Sequence, residues 1–313
     1  KIEEKYNISI YKLFFTDRVL GRGFFASGGV RHPKNKTRHS KKHNELMNMA
    51  VNNINYWEEL FKKENICLAL NLDPISHQLA KINKIKSFRV FEGKFKNTFS
   101  WIEHRQEPIV TLKDLKKIKN NRLKKVVLKS PYKRYMLTRY KDRETLKLVN
   151  SIRLVIYKFL QIIYGRLRGY QKSKNTFILD ESLNFWRIRT TYIDYLKKVN
   201  VSLKKLEGKK FIFFPLLTEP EIALHGVADD FFFQLSAINL ISRDLPADYL
   251  LVVKEHVIAF GRRPKDFYDQ INDLGNVVFA DPIELGLDYV KKFNAVACIT
   301  GTSAYEALVM GKA

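Results

Sequence analysis

The most suggestive chemistry in this sequence lies near its end, where a turn of small hydroxyl-bearing residues leads into a short helical pattern. The segment TGTSAYE places Gly301, Thr302 and Ser303 before the predicted helix and Glu306 one turn inside it. Backbone N–H groups at a helix N-terminus are unpaired and the helix dipole is positive there, so this turn could hold a phosphate. Glu306 could accept hydrogen bonds from ribose hydroxyls. The simpler interpretation is that Thr302 or Ser303 caps the helix.

A cationic segment, KEHVIAFGRR, follows another predicted strand. Lys254 and His256 stand where that strand ends, and Arg263 comes shortly after them. A histidine here could donate to a phosphate oxygen or protonate a leaving group, and an arginine could bind an anion through two hydrogen bonds. A structural hydrogen bond at the strand end is the alternative for His256. The residues predicted to bind a phosphorylated donor are Lys254, His256, Arg263, Gly301, Thr302, Ser303 and Glu306.

Three carboxylates are candidates for a catalytic base or nucleophile. Glu219 and Glu221 occur in the segment TEPE after a predicted strand, and Asp73 follows a strand in the N-terminal part of the chain. A carboxylate at such an edge could hold an acceptor hydroxyl. An Asp-Pro pair is also typical of a turn, which is the alternative for Asp73. These residues alone do not decide which carboxylate acts.

Metal and disulfide chemistry are not indicated. Among the seven histidines, His32, His39 and His43 form a loose cluster beside Lys and Arg residues, which suits a solvated loop better than a zinc site. Cys67 and Cys298 are far apart, and each lies in an apolar run that predicts a buried strand. We therefore expect no metal and no cofactor, in a reducing cytoplasmic setting. No stretch approaches the roughly 20 uncharged apolar residues of a membrane span, and the first residues do not resemble a signal peptide.

The candidate residues require a scaffold that brings loop segments together. From residue 208 onward, near-continuous apolar runs alternate with helical patterns, which predicts a parallel sheet with helices on both faces. Ligands of such sheets bind beyond the carboxyl ends of the strands, which is where the candidate loops fall. The predicted strands are 209–217, 248–256, 276–281 and 294–301, and the predicted helices are 229–245, 264–274, 283–293 and 304–310.

A smaller unit of the same kind is predicted earlier in the chain. A helical pattern covers 41–64, and a strand at 65–74, a helix at 75–85 and a strand at 86–93 form a βαβ unit. The glycine-rich stretch GRGFFASGG does not lie between a strand and a helix at the spacing of a dinucleotide site, so no role is assigned to it.

The net charge of +24 is concentrated in the middle of the chain. Residues 208–313 contain 10 Lys and Arg against 14 Asp and Glu, whereas residues 110–207 contain 26 against seven, a net charge of +19. Such asymmetry predicts an anionic partner, either nucleic acid or acidic lipid. The acidic C-terminal half argues against nucleic acid as the main ligand.

Within the basic segment, a long helical pattern at 148–170 combines a broad apolar face with flanking cations. One interpretation is an ordinary helix packed on a core, with a solvated cationic edge. The other is a helix that lies on anionic lipid, because an amphipathic helix with Lys and Arg beside its apolar face has the required chemistry. The flanking residues are Arg153, Lys158, Arg166 and Arg168.

Several motifs in the C-terminal third resemble a known family. The stretches FFPLLTEPE, QLSAINLISRDLPADYLLVVKEH, GRRPKDFYDQI, NVVFADP and AVACITGTSAYEALVMGK are similar, in this order, to the C-terminal half of the bacterial capsule polysaccharide biosynthesis family, which includes the Kdo transferases of capsule assembly. The resemblance covers about residues 211–313, is weaker over 1–109, and is absent from the basic middle. It implies a GT-B glycosyltransferase, in which a nucleotide sugar binds between two Rossmann-like domains.

The resemblance carries over to three motif positions. The family's Gln-Pro-Glu is Glu219-Pro220-Glu221 in this sequence, and its Lys-Glu-His-Pro is Lys254-Glu255-His256-Val257. Its Gly-Thr and the following Glu-Ala are kept as Gly301-Thr302 and Glu306-Ala307. The two departures border the pocket expected to hold the nucleotide, so they leave the donor undefined. In the family the last helix is followed by a further strand and helices, and we expect the C-terminal domain to be incomplete at Ala313.

These observations predict a metal-independent glycosyltransferase of capsule or surface polysaccharide biosynthesis. Its donor would be a nucleotide-activated sugar, with CMP-linked Kdo or a related acidic sugar as one option, and its acceptor a glycan or glycolipid. The expected location is the cytoplasm, with a peripheral position on the inner face of the cytoplasmic membrane as an option. The predicted domains are an N-terminal Rossmann-like, acceptor-side domain at 1–109, a basic helical segment at 110–207 and a nucleotide-sugar-binding domain at 208–313.

Two alternatives belong to other functional classes. A nucleotide-sugar epimerase also uses two Rossmann-like domains and a glycine-hydroxyl loop, and it would release its product without an acceptor. A non-enzymatic module could bind RNA or anionic lipid through the basic segment, with a steep dependence on salt. That binding would survive mutation of His256 and Thr302.

Overall fold

We describe the protein from a computed structural model of the chain. The structure describes residues 2–7, 9, 43–92, 99–103, 143–170, 178–219, 224, 228–231, 233–264 and 266–312. Within these residues the strands form two sheets, one of three strands and one of five.

The N-terminal unit is a small sheet with helices packed against it. Its elements are α1 (Ile2–Tyr6), α2 (His43–Lys63), β1 (Leu68–Leu70), α3 (Pro74–Ile82), β2 (Lys86–Glu92) and β3 (Phe99–Ile102). Strands β1 and β2 are parallel with α3 between them, which confirms the predicted βαβ unit. Strand β3 was not predicted and pairs antiparallel with β2. Ile54 from α2 packs with Ile75 and Leu79 from α3 in the core of this unit.

Helical residues 143–146 and three further helices follow in the described part of the basic segment. The three further helices are α4 (Leu148–Leu167), α5 (Ile178–Ser182) and α6 (Asn184–Leu196). Helix α4 confirms the long helix predicted from the apolar periodicity and contacts both α5 and α6. Residues 110–142 and 171–177 of the basic segment lie outside the described residues.

The larger sheet is parallel throughout and has five strands. They are β4 (Val199–Val201), β5 (Lys210–Pro215), β6 (Tyr249–Lys254), β7 (Val277–Ala280) and β8 (Ala295–Val296). Their order across the sheet is β4-β7-β6-β5-β8. All four strands predicted after residue 208 are present, although the last is only two residues long. The predicted α/β class, with a parallel sheet, is therefore confirmed.

The sheet takes its first edge strand from residues that precede the predicted boundary at 208. Strand β4 pairs with β7, and Tyr195 at the end of α6 is fully buried beneath them. The Tyr195 hydroxyl donates a hydrogen bond of 3.0 Å to the carbonyl of Ala280, where β7 ends. Helix α6 and β4 therefore pack as part of this sheet, although their basic composition grouped them with the preceding segment.

Helices cover both faces of the larger sheet. The remaining helices are α7 (Gln234–Asp244), α8 (Phe267–Asn272), α9 (Gly286–Lys292) and α10 (Ser303–Val309). Residues from α6, α7 and α8 share one core with Phe214 and Val253, and residues from α9 and α10 share the other core with Phe213 and Val252. Neighbouring residues of each strand thus point to opposite faces, and both faces are apolar, as expected for a buried parallel sheet.

Candidate functional site

The candidate site is a cleft of about 240 Å³ at the carboxyl edge of the five-stranded sheet. Its walls come from the loops after β5, β6 and β7 and from the start of α10. The chain runs from β5 through β6 to β7 on one side of the sheet and then returns to place β8 on the other side of β5. Ligands of open α/β sheets bind at such a reversal of strand order. Apart from Glu255, whose side chain is buried, the polar residues that line the cleft are Lys254, His256, Glu284, Thr302, Ser303 and Glu306.

The structure brings together five of the seven residues predicted to bind the donor. Lys254, His256, Thr302, Ser303 and Glu306 all line this one cleft. They meet because parallel strands end at the same edge, so residues that are distant in sequence become neighbours. Their binding of a donor stays a prediction.

The turn before α10 depends on a glycine. Gly301 has a φ of +114°, in a region that residues with a Cβ rarely adopt. Thr302, the N-cap residue, is exposed, and its side chain makes no capping hydrogen bond. The simpler interpretation of Thr302 as a side-chain cap is therefore not what the structure shows. Thr302 lines the cleft instead.

Lys254 and His256 supply nitrogen donors to one wall of the cleft. The Lys254 ammonium donates a hydrogen bond of 2.9 Å to the carbonyl of Pro282, which joins the loops after β6 and β7. His256 is exposed at the mouth of the cleft, yet the protein that surrounds the ring lowers its pKa below 6.5, and the charge of Lys254 lowers it further. The imidazole is therefore mostly neutral at neutral pH and can donate one N–H.

Glu284 is a cleft residue that sequence reasoning missed. It follows β7 in the segment ADPIE. The Asp281 carboxylate accepts a hydrogen bond of 2.7 Å from the backbone N–H of Ile283 and so shapes the loop. The Tyr289 hydroxyl donates to Glu284, and burial, together with this carboxylate, raises the Tyr289 pKa. The only sequence signal for Glu284 was its position after a strand.

Arg263 is not a cleft residue, which corrects its predicted role in phosphate binding. Its side chain is 1% exposed, and that of Glu255 is fully buried. The guanidinium donates to both Glu255 oxygens, at 2.8 and 2.9 Å, and to the carbonyl of Leu217 at 2.6 Å. Burial alone lowers the Arg263 pKa, but Glu255 and Glu219 outweigh it, so the pKa is raised. Arg263 therefore balances buried acids and does not line this cleft.

Glu219 belongs to the same buried network, which corrects its prediction as a catalytic carboxylate. It lies 3.1 Å from the Arg263 guanidinium, and its side chain is 2% exposed. Its other oxygen accepts hydrogen bonds from the backbone N–H and the side-chain amide of Gln234, at 3.0 and 2.8 Å. Because these partners occupy the buried carboxylate, we assign it a structural role.

The network also holds the loop that carries His256. The Glu255 carboxylate accepts a hydrogen bond of 2.7 Å from the backbone N–H of His256 and one of 2.8 Å from the Tyr268 hydroxyl. The Gln234 amide in turn bonds to both backbone groups of Leu217, at 2.6 and 2.8 Å. The loops after β5 and β6 are thus connected beneath the cleft.

The other two catalytic candidates have different outcomes. Glu221 lies outside the described residues. Asp73 is the N-cap of α3, where its carboxylate accepts hydrogen bonds of 3.0 Å from Ile75 N–H, 3.2 Å from Ser76 N–H and 2.6 Å from the Ser76 hydroxyl. The structure thus shows the local role that an Asp-Pro turn suggested. A catalytic role for Asp73 or Glu221 stays a prediction.

The predicted environment of the cysteines was wrong. Cys67 is exposed and Cys298 is half-buried, because Cys67 precedes the short strand β1 and Cys298 follows β8, which ends at Val296. Burial raises the pKa of the Cys298 thiol. His32 and His39 lie outside the described residues.

The described part of the chain contains neither a metal-binding group nor a membrane-spanning helix. Its His, Cys, Asp and Glu side chains form no group of three that could hold a metal ion. None of its helices combines the length and the apolar character that crossing a membrane requires.

Comparison of the chain with protein-family models, with curated proteins and with solved structures finds no match in any of the three. The family resemblance therefore rests on the sequence motifs alone.

Proposed function

We propose that the cleft binds a nucleotide-activated sugar and that the protein is a glycosyltransferase of capsule or surface polysaccharide biosynthesis. The observation that carries this proposal is the meeting of Lys254, His256, Thr302, Ser303 and Glu306 at the reversal point of the parallel sheet. Cations and hydroxyl donors suit a phosphate, and a carboxylate suits the paired hydroxyls of a ribose. The motif resemblance to capsule polysaccharide biosynthesis proteins supports the same conclusion.

In this proposal the cleft residues stabilise the charge that develops on the leaving phosphate. Thr302 and Ser303 donate hydrogen bonds to phosphate oxygens, and Lys254 adds a positive charge that its bond to Pro282 holds in place. His256 donates a further N–H, and Glu306 accepts from the ribose. Donors fixed before the reaction stabilise such charge without reorganisation, which is a large term in group-transfer catalysis. A bound metal is not needed for these roles.

We further propose a GT-B arrangement, in which the N-terminal βαβ unit belongs to the acceptor-side domain. The parallel pair β1 and β2 with the crossover helix α3 supports this proposal, because each GT-B domain is built from such units. The acceptor would be a glycan or a lipid-linked glycan at the cytoplasmic face of the membrane. Glu221 and Asp73 remain the candidates for activating its hydroxyl group.

The test is a calorimetric titration of the protein with CMP, UDP, GDP and their common sugars. We expect saturable binding of one nucleotide, weakened about tenfold or more in His256→Ala and in Thr302→Ala, because each loses a hydrogen bond to a charged group. Thr190→Ala on α6 is the matched control for Thr302→Ala, because the Thr190 hydroxyl donates its hydrogen bonds to the helix backbone. The Thr190→Ala protein should bind the nucleotide as the unaltered protein does.

This titration, a product assay without acceptor and an RNA-binding assay together separate the proposal from its alternatives. Failure of every nucleotide to bind would overturn it. Sugar release or epimerisation without an acceptor would indicate an epimerase. RNA binding that persists in both cleft variants and weakens steeply with salt would indicate a nucleic-acid-binding module.

A further inference from the structure

Helix α4 exposes an apolar stripe on the side opposite its packed face. The residues buried in this helix are Ser151, Ile162 and Gly165, two of which are small. The exposed stripe repeats at three- and four-residue steps, so its members form one line along the helix. They are between 38% and 82% exposed and comprise Val149, Ile152, Ile156, Phe159, Leu160 and Leu167.

Cations and tyrosines lie along one flank of this apolar stripe. Helical geometry places Arg153 and Arg168 there, with Tyr157 and Tyr164 between them, and all four side chains are exposed. The Arg168 guanidinium donates a hydrogen bond of 3.1 Å to the Tyr164 hydroxyl. The range Leu148–Leu167 contains no Asp or Glu, and the described residues 143–170 contain six Lys and Arg against one Glu. The surface around the stripe is therefore cationic.

The exposed apolar stripe and its cationic flank distinguish the two interpretations of α4, a helix packed on a core and a helix that lies on anionic lipid. A helix packed on a core would bury most of its large apolar side chains, whereas Ile162 is the one large apolar residue buried in α4 and six others are exposed along the stripe. A second copy of the chain on the stripe would bring like charges together, which disfavours that occupant. An anionic bilayer matches both properties, because the acyl region receives apolar side chains and the headgroups attract Lys and Arg.

We propose that α4 lies in the plane of a membrane that contains anionic lipid. The apolar stripe enters the boundary between headgroups and acyl chains, and Arg153 and Arg168 reach the headgroup phosphates. Tyr157 and Tyr164 occupy the interface, where an aromatic ring can be apolar at one end and hydrated at the other. This inference is independent of nucleotide binding and would place the protein beside a lipid-linked acceptor.

The experiment measures binding of the protein to large unilamellar vesicles by flotation. One set consists of phosphatidylcholine, and the other has roughly a quarter of it replaced by phosphatidylglycerol. We expect binding to the anionic vesicles that weakens as salt is added, and much weaker binding to phosphatidylcholine alone. Equal binding to both sets, or binding to neither, would overturn the proposal.

Two variants separate the apolar contribution from the charge contribution. The stripe variant Ile156→Asn/Leu160→Asn should lose about tenfold or more in vesicle affinity, since two apolar side chains no longer enter the bilayer. The flank variant Arg153→Gln/Arg168→Gln should lose about fivefold for each arginine and show a weaker salt dependence. All four substitutions are at exposed positions, so the thermal midpoint should not change.

Matched controls come from α7, which exposes similar residues elsewhere. Leu240 is 45% exposed, and Arg243 is paired with Asp244 at the surface. Leu240→Asn and Arg243→Gln should bind vesicles as the unaltered protein does. An equal loss in these controls would mean that binding is not specific to α4 and would overturn the proposal. A stripe variant that changes only the oligomeric state, measured by light scattering, would assign the stripe to a second copy.

Discussion

The Arg263 guanidinium and the Glu255 carboxylate form two hydrogen bonds, of 2.8 and 2.9 Å, in a region closed to solvent. The same carboxylate accepts the backbone N–H of His256 at 2.7 Å. An ion pair in the core therefore sets the backbone position of a residue at the cleft. The residue that resembled a ligand-binding arginine instead supports the loop beneath the proposed site.

Removal of Arg263 should destabilise the protein strongly. Arg263→Met leaves the carboxylates of Glu255 and Glu219 buried without their cation, and a broken buried pair costs about 3–5 kcal/mol of unfolding free energy. The exposed Arg243→Met is the matched control, because its partner Asp244 stays in water, and it should change stability little. Urea unfolding of both variants tests this expectation. Similar midpoints for the two would contradict the structural role of Arg263.

Gly261 should not tolerate a Cβ. Its φ is +76°, and an added Cβ would lie 2.9 Å from the Cβ of Arg187 and 3.3 Å from the Arg187 carbonyl carbon. Gly208 has nearly the same φ, +77°, with nothing within 4 Å of the added atom. We expect Gly208→Ala to cost about 1 kcal/mol and Gly261→Ala about 2–3 kcal/mol, because only the second adds a clash to the backbone strain. Thermal unfolding measures the difference, and an equal cost would show that the loop relaxes.

The lowered pKa of His256 makes two pH effects testable. The unfolded chain takes up this proton at a higher pH than the folded chain does, so the His256 contribution to stability is present above about pH 6.5 and is lost as the pH falls through the folded pKa. His256→Asn should flatten this part of the stability profile. Urea unfolding across the range from neutral to mildly acidic pH tests it, and an unchanged profile in the variant would exclude His256 as the cause.

The affinity for ligand should depend on pH in the opposite direction to the stability. If the proposed phosphate contact is correct, the bound anion favours the protonated imidazole, so affinity for a nucleotide sugar should rise as the pH falls, by up to about tenfold per pH unit. A phosphodiester donor is the appropriate ligand, because its own charge does not change in this range. Calorimetry in buffers of different ionisation enthalpy should detect proton uptake in the unaltered protein. Equal uptake in His256→Asn would assign the proton to another group.

Asp73 can be tested for its two roles separately. Asp73→Ser keeps a side-chain oxygen that can cap α3, whereas Asp73→Ala removes it and should cost about 1 kcal/mol of unfolding free energy. If Asp73 only caps the helix, Asp73→Ser should retain both stability and sugar transfer. Loss of transfer in Asp73→Ser with an unchanged thermal midpoint would instead identify a catalytic carboxylate, because serine cannot act as a base of that kind.

Much of the architecture could be predicted from local patterns in the sequence. The apolar runs around Phe213, Val252 and Val278 predicted buried parallel strands, because a strand covered on both faces needs little polar alternation. The alternation of strands with helices then predicted the edge at which Lys254, His256 and Thr302 now line one cleft. Strand β3 was not predicted, and the residues of β4 were assigned to the basic helical segment. Both strands are short and carry little periodic signal.

The sequence by itself determined most of the segments that form strands and helices and which of their loops share an edge, since backbone hydrogen bonding and hydrophobic periodicity act over a few residues. Only the tertiary structure decided whether each charged side chain is buried in the core or lines the cleft. Lys254 is the last residue of β6 and Arg263 lies in the segment that follows it, but Arg263 meets Glu219 and Glu255 in the core, while Lys254 lines the cleft. Likewise, the periodicity of α4 predicted a helix, but its neighbours determined that Ile162 is buried beside Ser151 and Gly165 while Ile156 and Leu160 are exposed. Whether a charge or an apolar group is buried depends on partners that are distant in sequence, and local patterns do not contain that information.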